Sequence, residues 1–469
     1  MYKLFDFQQK AVTNCTGFFF NSFLDSALCV MPTASGKSVV IAEIAKKLDN
    51  FLILVPSEEL LSQNEKALIN TGKIPSIYCA SVGRKELSTT ILATIGSVKT
   101  LGKELKKLGI TNVICDEAHY KLNFKSDDEK EGMFKKLLKD LKPKKVLGLT
   151  ATPFENSSIG GRPATRMLNK VRHTPFKEII HITQFKEVIE AKRWQTLTYI
   201  EHPVSSECLK QGSSIEYTED SIKLFLKENE VNNRVCLLLK QLQKEKTLTF
   251  TDSLDTAIKI RDWYNSKGFA GACEVVSGDM PKKERRSVIE KFKDKSSDLN
   301  HVINYGTLTT GFDYENLKYV ICGRPTNSLQ LYYQICGRGG RVSPDKTFCI
   351  FHDLVGNVKR FGRVEKFNFD NINGMGWRMF SDNVCLTDIP QPSLLKVTKE
   401  FLKNPPKLEK CPEIKLWFGK YQGKDVRYVP SVYKDYLLKN YTINSERDKL
   451  LIEAIKISEK NKFIKEVTK

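Results

Sequence analysis

Short apolar runs alternate with amphipathic stretches of helical period over most of the chain, the rhythm of an α/β architecture with mainly parallel sheets. The pattern predicts strands over residues 26–31, 51–55, 90–93, 112–115 and 145–149, then over 247–251, 272–276, 301–304, 318–322 and 347–351. Most of these runs are too apolar for a half-exposed strand, as expected where helices cover both faces of a sheet. Residues 154–174 are rich in Gly, Ser, Pro and Arg, lack a clear period, and are expected to form the crossing between two α/β units. Past about Arg378 the rhythm breaks, residues 388–406 carry four prolines, and a charged helix is predicted over 445–468. The expected organisation is a first domain over 1–175, a second over 176–385, and a linker with a small α+β module over 386–469.

The 469 residues hold 75 Lys and Arg against 55 Asp and Glu, a net charge of +20. Hydrophobic residues at 41% exclude a disordered chain. The positive excess favours a polyanionic partner, either nucleic acid or an anionic membrane surface. No apolar run approaches the ~18 residues of a transmembrane helix. The start, from Met1 to Asp6, lacks the apolar core of a signal peptide. The membrane option therefore weakens. Twelve cysteines are scattered with no CxxC pair, and Cys385 and Cys411 are too isolated for a zinc site. That argues for a reducing, cytoplasmic compartment.

Two motifs carry chemistry. Pro32-Thr33-Ala34-Ser35-Gly36-Lys37-Ser38 follows a strand and opens a helical stretch. Backbone N–H groups of such a loop receive phosphate oxygens, Lys37 reaches the β/γ-phosphates of ATP, and Ser38 can ligate Mg²⁺. Met31 stands where such a loop usually begins with Gly. Downstream, an apolar strand ends in Asp116-Glu117-Ala118-His119. Adjacent carboxylates suit a metal partner, Asp116, and a general base for an attacking water, Glu117. His119 is expected to couple the site to neighbouring segments. An isolated acidic pair can also simply cap a helix.

In order, the chain shows Phe7-Gln8, the phosphate loop, Leu54-Val55-Pro56-Ser57-Glu58-Glu59-Leu60, the Asp-Glu-Ala-His run, and Gly148-Leu149-Thr150-Ala151-Thr152-Pro153. The second half adds Phe250-Thr251-Asp252-Ser253, Gly306 to Asp313, and Gln334-Ile335-Cys336-Gly337-Arg338-Gly339-Gly340-Arg341. Over roughly residues 1–380 this resembles the superfamily 2 helicases and translocases of the DEAH-box type, with two tandem RecA-like parallel-sheet domains. Ala34 replaces a glycine common in that family's loop.

The resemblance implies that Gln8 reads the adenine edge, and that Thr33, Ala34, Ser35, Gly36, Lys37, Ser38 and Gly311 hold nucleotide. Asp313 would bind the ribose or connect nucleotide to nucleic acid. It implies that His119, Thr150, Thr152 and Gln334 couple hydrolysis to movement. Pro56, Ser57, Thr94, Thr251, Thr307 and Thr309 would contact a nucleic-acid strand. Arg338 and Arg341 would act as arginine fingers once the second lobe closes on the first; a salt-bridged or DNA-contacting pair is the alternative.

Gly323 to Ser328 and Asp353 to Asn357 narrow the resemblance to DNA helicases and translocases related to XPB and the phage recombination helicase UvsW. The phosphate loop begins only about 30 residues in, so those relatives' N-terminal accessory domains are expected to be missing. Leu416 to Lys424 resembles the FGKYKGK module appended to some DNA exonucleases and small phage proteins. There Lys420, Lys424 and Arg427, among Trp417, Phe418 and Tyr421, would combine phosphate contacts with base stacking. A small core with solvated lysines is the competing account.

The expected function is an ATP- and Mg²⁺-dependent DNA helicase or translocase. By the resemblance it tracks 3′ to 5′ on forked or branched DNA in recombination, repair or replication, alongside proteins of those processes. The alternatives are an RNA helicase and a non-unwinding DNA translocase subunit that serves a partner nuclease.

Overall fold

A computed structural model describes residues 3–120, 132–172, 174–269, 271–307, 314–372 and 374–468. All ten expected strands form. The first sheet holds β1 (Ser26–Val30), β2 (Phe51–Val55), β3 (Ser76–Cys79), β4 (Arg84–Lys85), β5 (Thr90–Thr94), β6 (Asn112–Asp116) and β7 (Lys145–Thr150). A hairpin, β8 (Phe154–Ile159) and β9 (Arg162–Met167), precedes its last strand, β10 (Glu178–Ile182). The order is β10-β1-β7-β6-β2-β5-β3-β4, parallel except at β3/β4. Every residue of β2 is buried, which explains its lack of polar alternation.

The second sheet is parallel throughout: β11 (Leu197–Glu201), β12 (Thr247–Phe250), β13 (Cys273–Ser277), β14 (His301–Tyr305), β15 (Tyr319–Cys322) and β16 (Cys349–Asp353). Its order is β11-β16-β15-β12-β14-β13. The helix Phe185–Glu190 lies between the two sheets in sequence and starts from a capping box at Gln184. Trp194 follows it and packs edge-on against Phe185, with ring centroids 4.7 Å apart. Gly340 makes that fit possible, because a β-carbon there would come within 2.0 Å of the Trp194 ring.

Residues 154–174, expected as an interdomain crossing, correct that expectation. They contain the β8/β9 hairpin, turned at Gly160 and Gly161, which both hold positive φ. Its outer edge pairs with β20 (Ile389–Pro390), more than 200 residues away. Before β20 the chain forms an antiparallel sheet of β17 (Phe367–Ile372), β18 (Gly376–Ser381) and β19 (Val384–Cys385). Helices Ser431–Asn440 and Glu446–Val467 complete the tail, the second capped by Ser445 as the charged stretch predicted. Two small cores serve this region. Ile372, Phe380, Val397, Phe463 and Val467 form one, and Leu416, Val426, Leu437, Leu451 and Ile455 form the other. No helix among the described residues is long and apolar enough to cross a membrane.

One core histidine makes stability depend on pH. His301 on β14 is fully buried, and its Nε2 lies 3.0 Å from the Tyr264 hydroxyl. Burial, reinforced by the Lys246 charge, pushes its pKa from 6.5 down to about 4. Protonation therefore favours the unfolded chain. The contribution is complete above the ordinary pKa of 6.5 and is lost as pH falls from there through about 4. At about 1.4 kcal/mol per pKa unit, it amounts to a few kcal/mol at most. Thermal melts across that window are expected to fall less steeply for His301→Gln than for the wild type. Parallel curves would remove His301 as the cause.

Candidate active site

Three neighbouring strands of the first sheet bring the motif residues together at their carboxyl ends, where α/β sheets present ligand sites. Register sets Val30 of β1 beside Thr150 of β7, and Leu149 of β7 beside Asp116 of β6. Met31 N–H donates to the Thr150 carbonyl at 2.9 Å and fixes where the phosphate loop leaves the sheet. Within the loop Ala34 (φ 63°) and Gly36 (φ 79°) adopt left-handed backbone. At Gly36 a β-carbon would also come 2.6 Å from the Gln8 amide nitrogen, so the loop and Gln8 fit only with glycine there. Gln8 sits buried in the helix Asp6–Asn21. It donates to the Ser35 carbonyl at 2.8 Å and accepts from Phe5 N–H at 3.1 Å, so it is tied to the loop and is no ordinary surface glutamine.

Lys37 Nζ reaches Glu117 Oε1 at 3.2 Å, and His119 Nδ1 lies 3.4 Å from Glu117 Oε2 and 2.7 Å from Thr150 Oγ1. Glu117 has φ 49°, a left-handed conformation that costs energy in a residue with a side chain. Asp116 accepts from Asn64 Nδ2 at 3.0 Å and from the Glu117 N–H at 2.9 Å. Burial, then the Glu117 charge, raises the Asp116 pKa to about 6. Burial also pushes Glu117 upward, but Lys37 and His119 outweigh it and hold that carboxyl below its usual range. Burial lowers the His119 pKa. The local field, with Lys37 its largest favourable contributor, thus keeps Glu117 ionised.

The second lobe closes this cleft. Gln334 Nε2 lies 3.3 Å from His119 Nε2, and the Tyr333 hydroxyl accepts from Thr33 N–H at 3.4 Å. Arg338 is 6% exposed, its Nε–H donates to the Gln334 carbonyl, and its charge helps hold Glu117 ionised. Arg338 and Arg341 line the same cavity as Thr33, Ala34, Gly36, Lys37, Ser38, Asp116, Glu117, His119 and Thr152. The Thr33 hydroxyl is buried beside the Tyr333 hydroxyl, and the Thr152 hydroxyl is buried with no hydrogen-bond partner among the described residues. Thr150, whose Oγ1 accepts from Thr152 N–H at 3.0 Å, completes the cluster beneath. Asn64, Arg193 and Glu315 carry no motif signal, yet Asn64 orients Asp116 and the other two line the cavity. Gly311, Asp313 and Thr309 lie outside the described residues.

The lobe residues expected to meet nucleic acid lie at or just past the carboxyl ends of other interior strands. Pro56 and Ser57 follow β2, where Ser57 caps the helix Glu58–Asn70. Thr94 ends β5, with its hydroxyl 2.8 Å from that of Ser97. Thr251 follows β12, buried, and shares a second cavity with Asn304, Gly306 and Arg324. Thr307 follows β14. Glu58 and Lys282 join the lobes near Ser57 by a 2.9 Å ion pair. Lys420, Tyr421 and Lys424 stand apart in the tail. Arg427, expected to touch phosphate, is instead paired with Asp425 and Glu413.

Residues 1–155 match the family model of the type III restriction enzyme res subunit, and residues 229–343 match that of the helicase conserved C-terminal domain. The 51.5 kDa protein of Lactococcus phage (isolate 7-9) is 25% identical over 331 residues, covering 69% of this chain and 64% of its own. IRC3 of Saccharomyces cerevisiae (strain ATCC 204508 / S288c), described as an ATP-dependent helicase, is 25% identical over 385 residues, 75% of this chain and 51% of its own. The chain therefore spans less than two thirds of the length of either relative. A fragment of an HsdR subunit of a type I restriction enzyme from Vibrio vulnificus YJ016 shares the fold with a TM-score of 0.57 at 18% identity, over 77% of this chain and 66% of that one. With both helicase models matched in order and both lobes facing one cleft, the chain carries the paired domains of the superfamily 2 helicases.

Proposed function

We propose that the chain is an ATP-dependent DNA motor, a helicase or translocase that tracks 3′ to 5′ on forked or branched DNA during recombination, repair or replication. One observation carries this reading: charged residues of both lobes line a single cleft, so lobe closure and completion of the site are one event. ATP would place its phosphates over the loop from Thr33 to Ser38, with Lys37 opposing their charge. The buried Thr152 hydroxyl, without a hydrogen-bond partner among the described residues, offers a polar atom for such a ligand. Ser38 and Asp116 are an oxygen donor pair suited to Mg²⁺, which when bound neutralises phosphate charge. Glu117, ionised and held by Lys37 and His119, takes the proton from the attacking water. Arg338 and Arg341 meet transition-state charge only when the lobes close. The His119–Gln334 contact reports the state of the phosphate site to the second lobe. Gln8 orients the base, and Pro56, Ser57, Thr94, Thr251 and Thr307 line the track of the strand.

ATPase rates with DNA and RNA cofactors, measured beside strand displacement on 3′- and 5′-tailed forks, test the proposal. Stimulation by DNA and displacement from the 3′ tail are the expected result. Stimulation by RNA alone would overturn the DNA assignment. A second reading, a motor subunit that moves DNA for a partner nuclease without unwinding it, draws on the restriction-subunit match of the first lobe. It predicts triplex displacement with no strand separation.

A further inference from the structure

The tail carries an aromatic surface that the ATP cleft does not use. Gly419 (φ 71°) and Gly423 (φ 80°) shape a tight turn closed by the Leu416 N–H to Lys424 carbonyl bond of 3.0 Å. This turn presents Tyr421 with the ammonium groups of Lys420 and Lys424 each 5.7 Å from its ring centre. Tyr433 packs edge-on against Tyr421 at 4.9 Å, and Tyr436 stacks on Tyr433 at 6.0 Å and 26°. Tyr436 is 57% exposed, and Tyr428, just ahead of the helix that carries Tyr433 and Tyr436, is 69% exposed.

The opposite face of the helix Ser431–Asn440 is fixed. Lys434 Nζ lies 3.1 Å from Glu459 Oε1 and 2.8 Å from Ser458 Oγ, and Arg162 of the β8/β9 hairpin reaches Glu459 Oε2 at 2.7 Å. Lys434 and Glu459 are almost fully buried. The tail's own apolar core lies beneath the turn. The rings therefore stand on a rigid support held to the first lobe.

We infer that Tyr421, Tyr433, Tyr436 and Tyr428, flanked by Lys420 and Lys424, form a stacking ladder for single-stranded nucleic acid, separate from the track across the lobes. Charge selects this occupant. Residues 414–441 hold six Lys or Arg against two Asp; Arg427 and Lys434 are paired with acids, both Asp are engaged by arginines, and Lys415, Lys420, Lys424 and Lys439 make up the rest of the positive charge. Successive aromatic faces beside cations suit unpaired bases and their phosphates, whereas the bases of a duplex offer no free faces to stack. The inference rests on reading the chain as a nucleic-acid motor, and the test separates the two.

The test uses the full chain, with Tyr428 and Tyr436 both changed to Ala and, in parallel, both changed to Phe. Fluorescence anisotropy with labelled oligo-dT and with a blunt duplex, without ATP, reads affinity. Photocrosslinking of thiothymidine-substituted oligo-dT maps contact. The expected result is single-strand affinity about tenfold or more weaker for the Ala pair, the loss of one base stack or more. The Phe pair retains affinity because it retains the rings, duplex binding changes little, and crosslinks fall on the tail tyrosines. Equal single-strand affinity in the Ala pair, an equal loss on duplex, or crosslinks confined to the lobes overturns the ladder, including the case in which the surface serves a protein partner. Failure of polynucleotides to stimulate the wild-type ATPase defeats the motor reading as well. Stimulation with unaltered Ala-pair affinity defeats the ladder alone.

Discussion

Glu117→Gln is expected to bind ATP and turn it over about 10²–10⁴-fold more slowly, the usual contribution of a positioned general base. Glu117 follows β6 on left-handed backbone, with one carboxylate oxygen 3.2 Å from Lys37 and the other 3.4 Å from His119. The amide preserves shape and can still accept hydrogen bonds, but it does not take a proton from water. Burial disfavours the carboxylate's charge, and the neighbouring cations, Lys37 foremost, more than offset that, so ionised Glu117 is the form present at neutral pH. Single-turnover hydrolysis beside filter binding of labelled ATP checks the split between chemistry and affinity. Turnover near the wild-type rate would remove Glu117 from the role of base.

Arg338→Ala is expected to lower kcat by about 10³–10⁵-fold, the range for arginine fingers, while ATP affinity changes only a few-fold. Arg338 comes from the helix Leu329–Gly339 of the second lobe, yet its charge is felt at Glu117 on the first. It is held by the Gln334 carbonyl, and Gln334 in turn meets His119, so the guanidinium is positioned through the same contact that joins the lobes. A charge that acts on the reacting phosphate only after closure stabilises the transition state more than the bound substrate. Steady-state kinetics with polynucleotide present, compared with binding of a fluorescent nucleotide, separates the two effects. A raised KM with unchanged kcat would make Arg338 a ground-state contact.

Much of this was legible in the sequence, for physical reasons. Strands buried on both faces write uninterrupted apolar runs, so all ten expected strands formed. Phosphate loops and acidic pairs are local in sequence, so Lys37 and Asp116 stand out from the order of residues alone. The β8/β9 hairpin was not legible. Its strands are half exposed, Pro163 weakens the strand signal, and its partner Ile389 lies far downstream. Asn64 and Tyr333 were missed for a related reason. Each reads as an ordinary helix residue until a distant strand or loop supplies its partner. Arg427 shows the reverse error: a basic residue among aromatics suggested phosphate, but two nearby acids already satisfy it.

The pairing of β20 with the β8/β9 hairpin gives the two lobes a second point of attachment. The chain leaves the first lobe after β10, builds the second, and returns through β17, β18 and β19 to an edge of the first lobe's hairpin. A body tied to another at one point can swivel about three axes. Tied at two points, it turns about the line between them, as a door turns on two pins. Any separation of the lobes in this protein must therefore carry or break that pairing as well as the contact between His119 and Gln334. A cut at residue 406 would do more than remove an appendage, because Phe463 and Val467 close the small core beside the second pin.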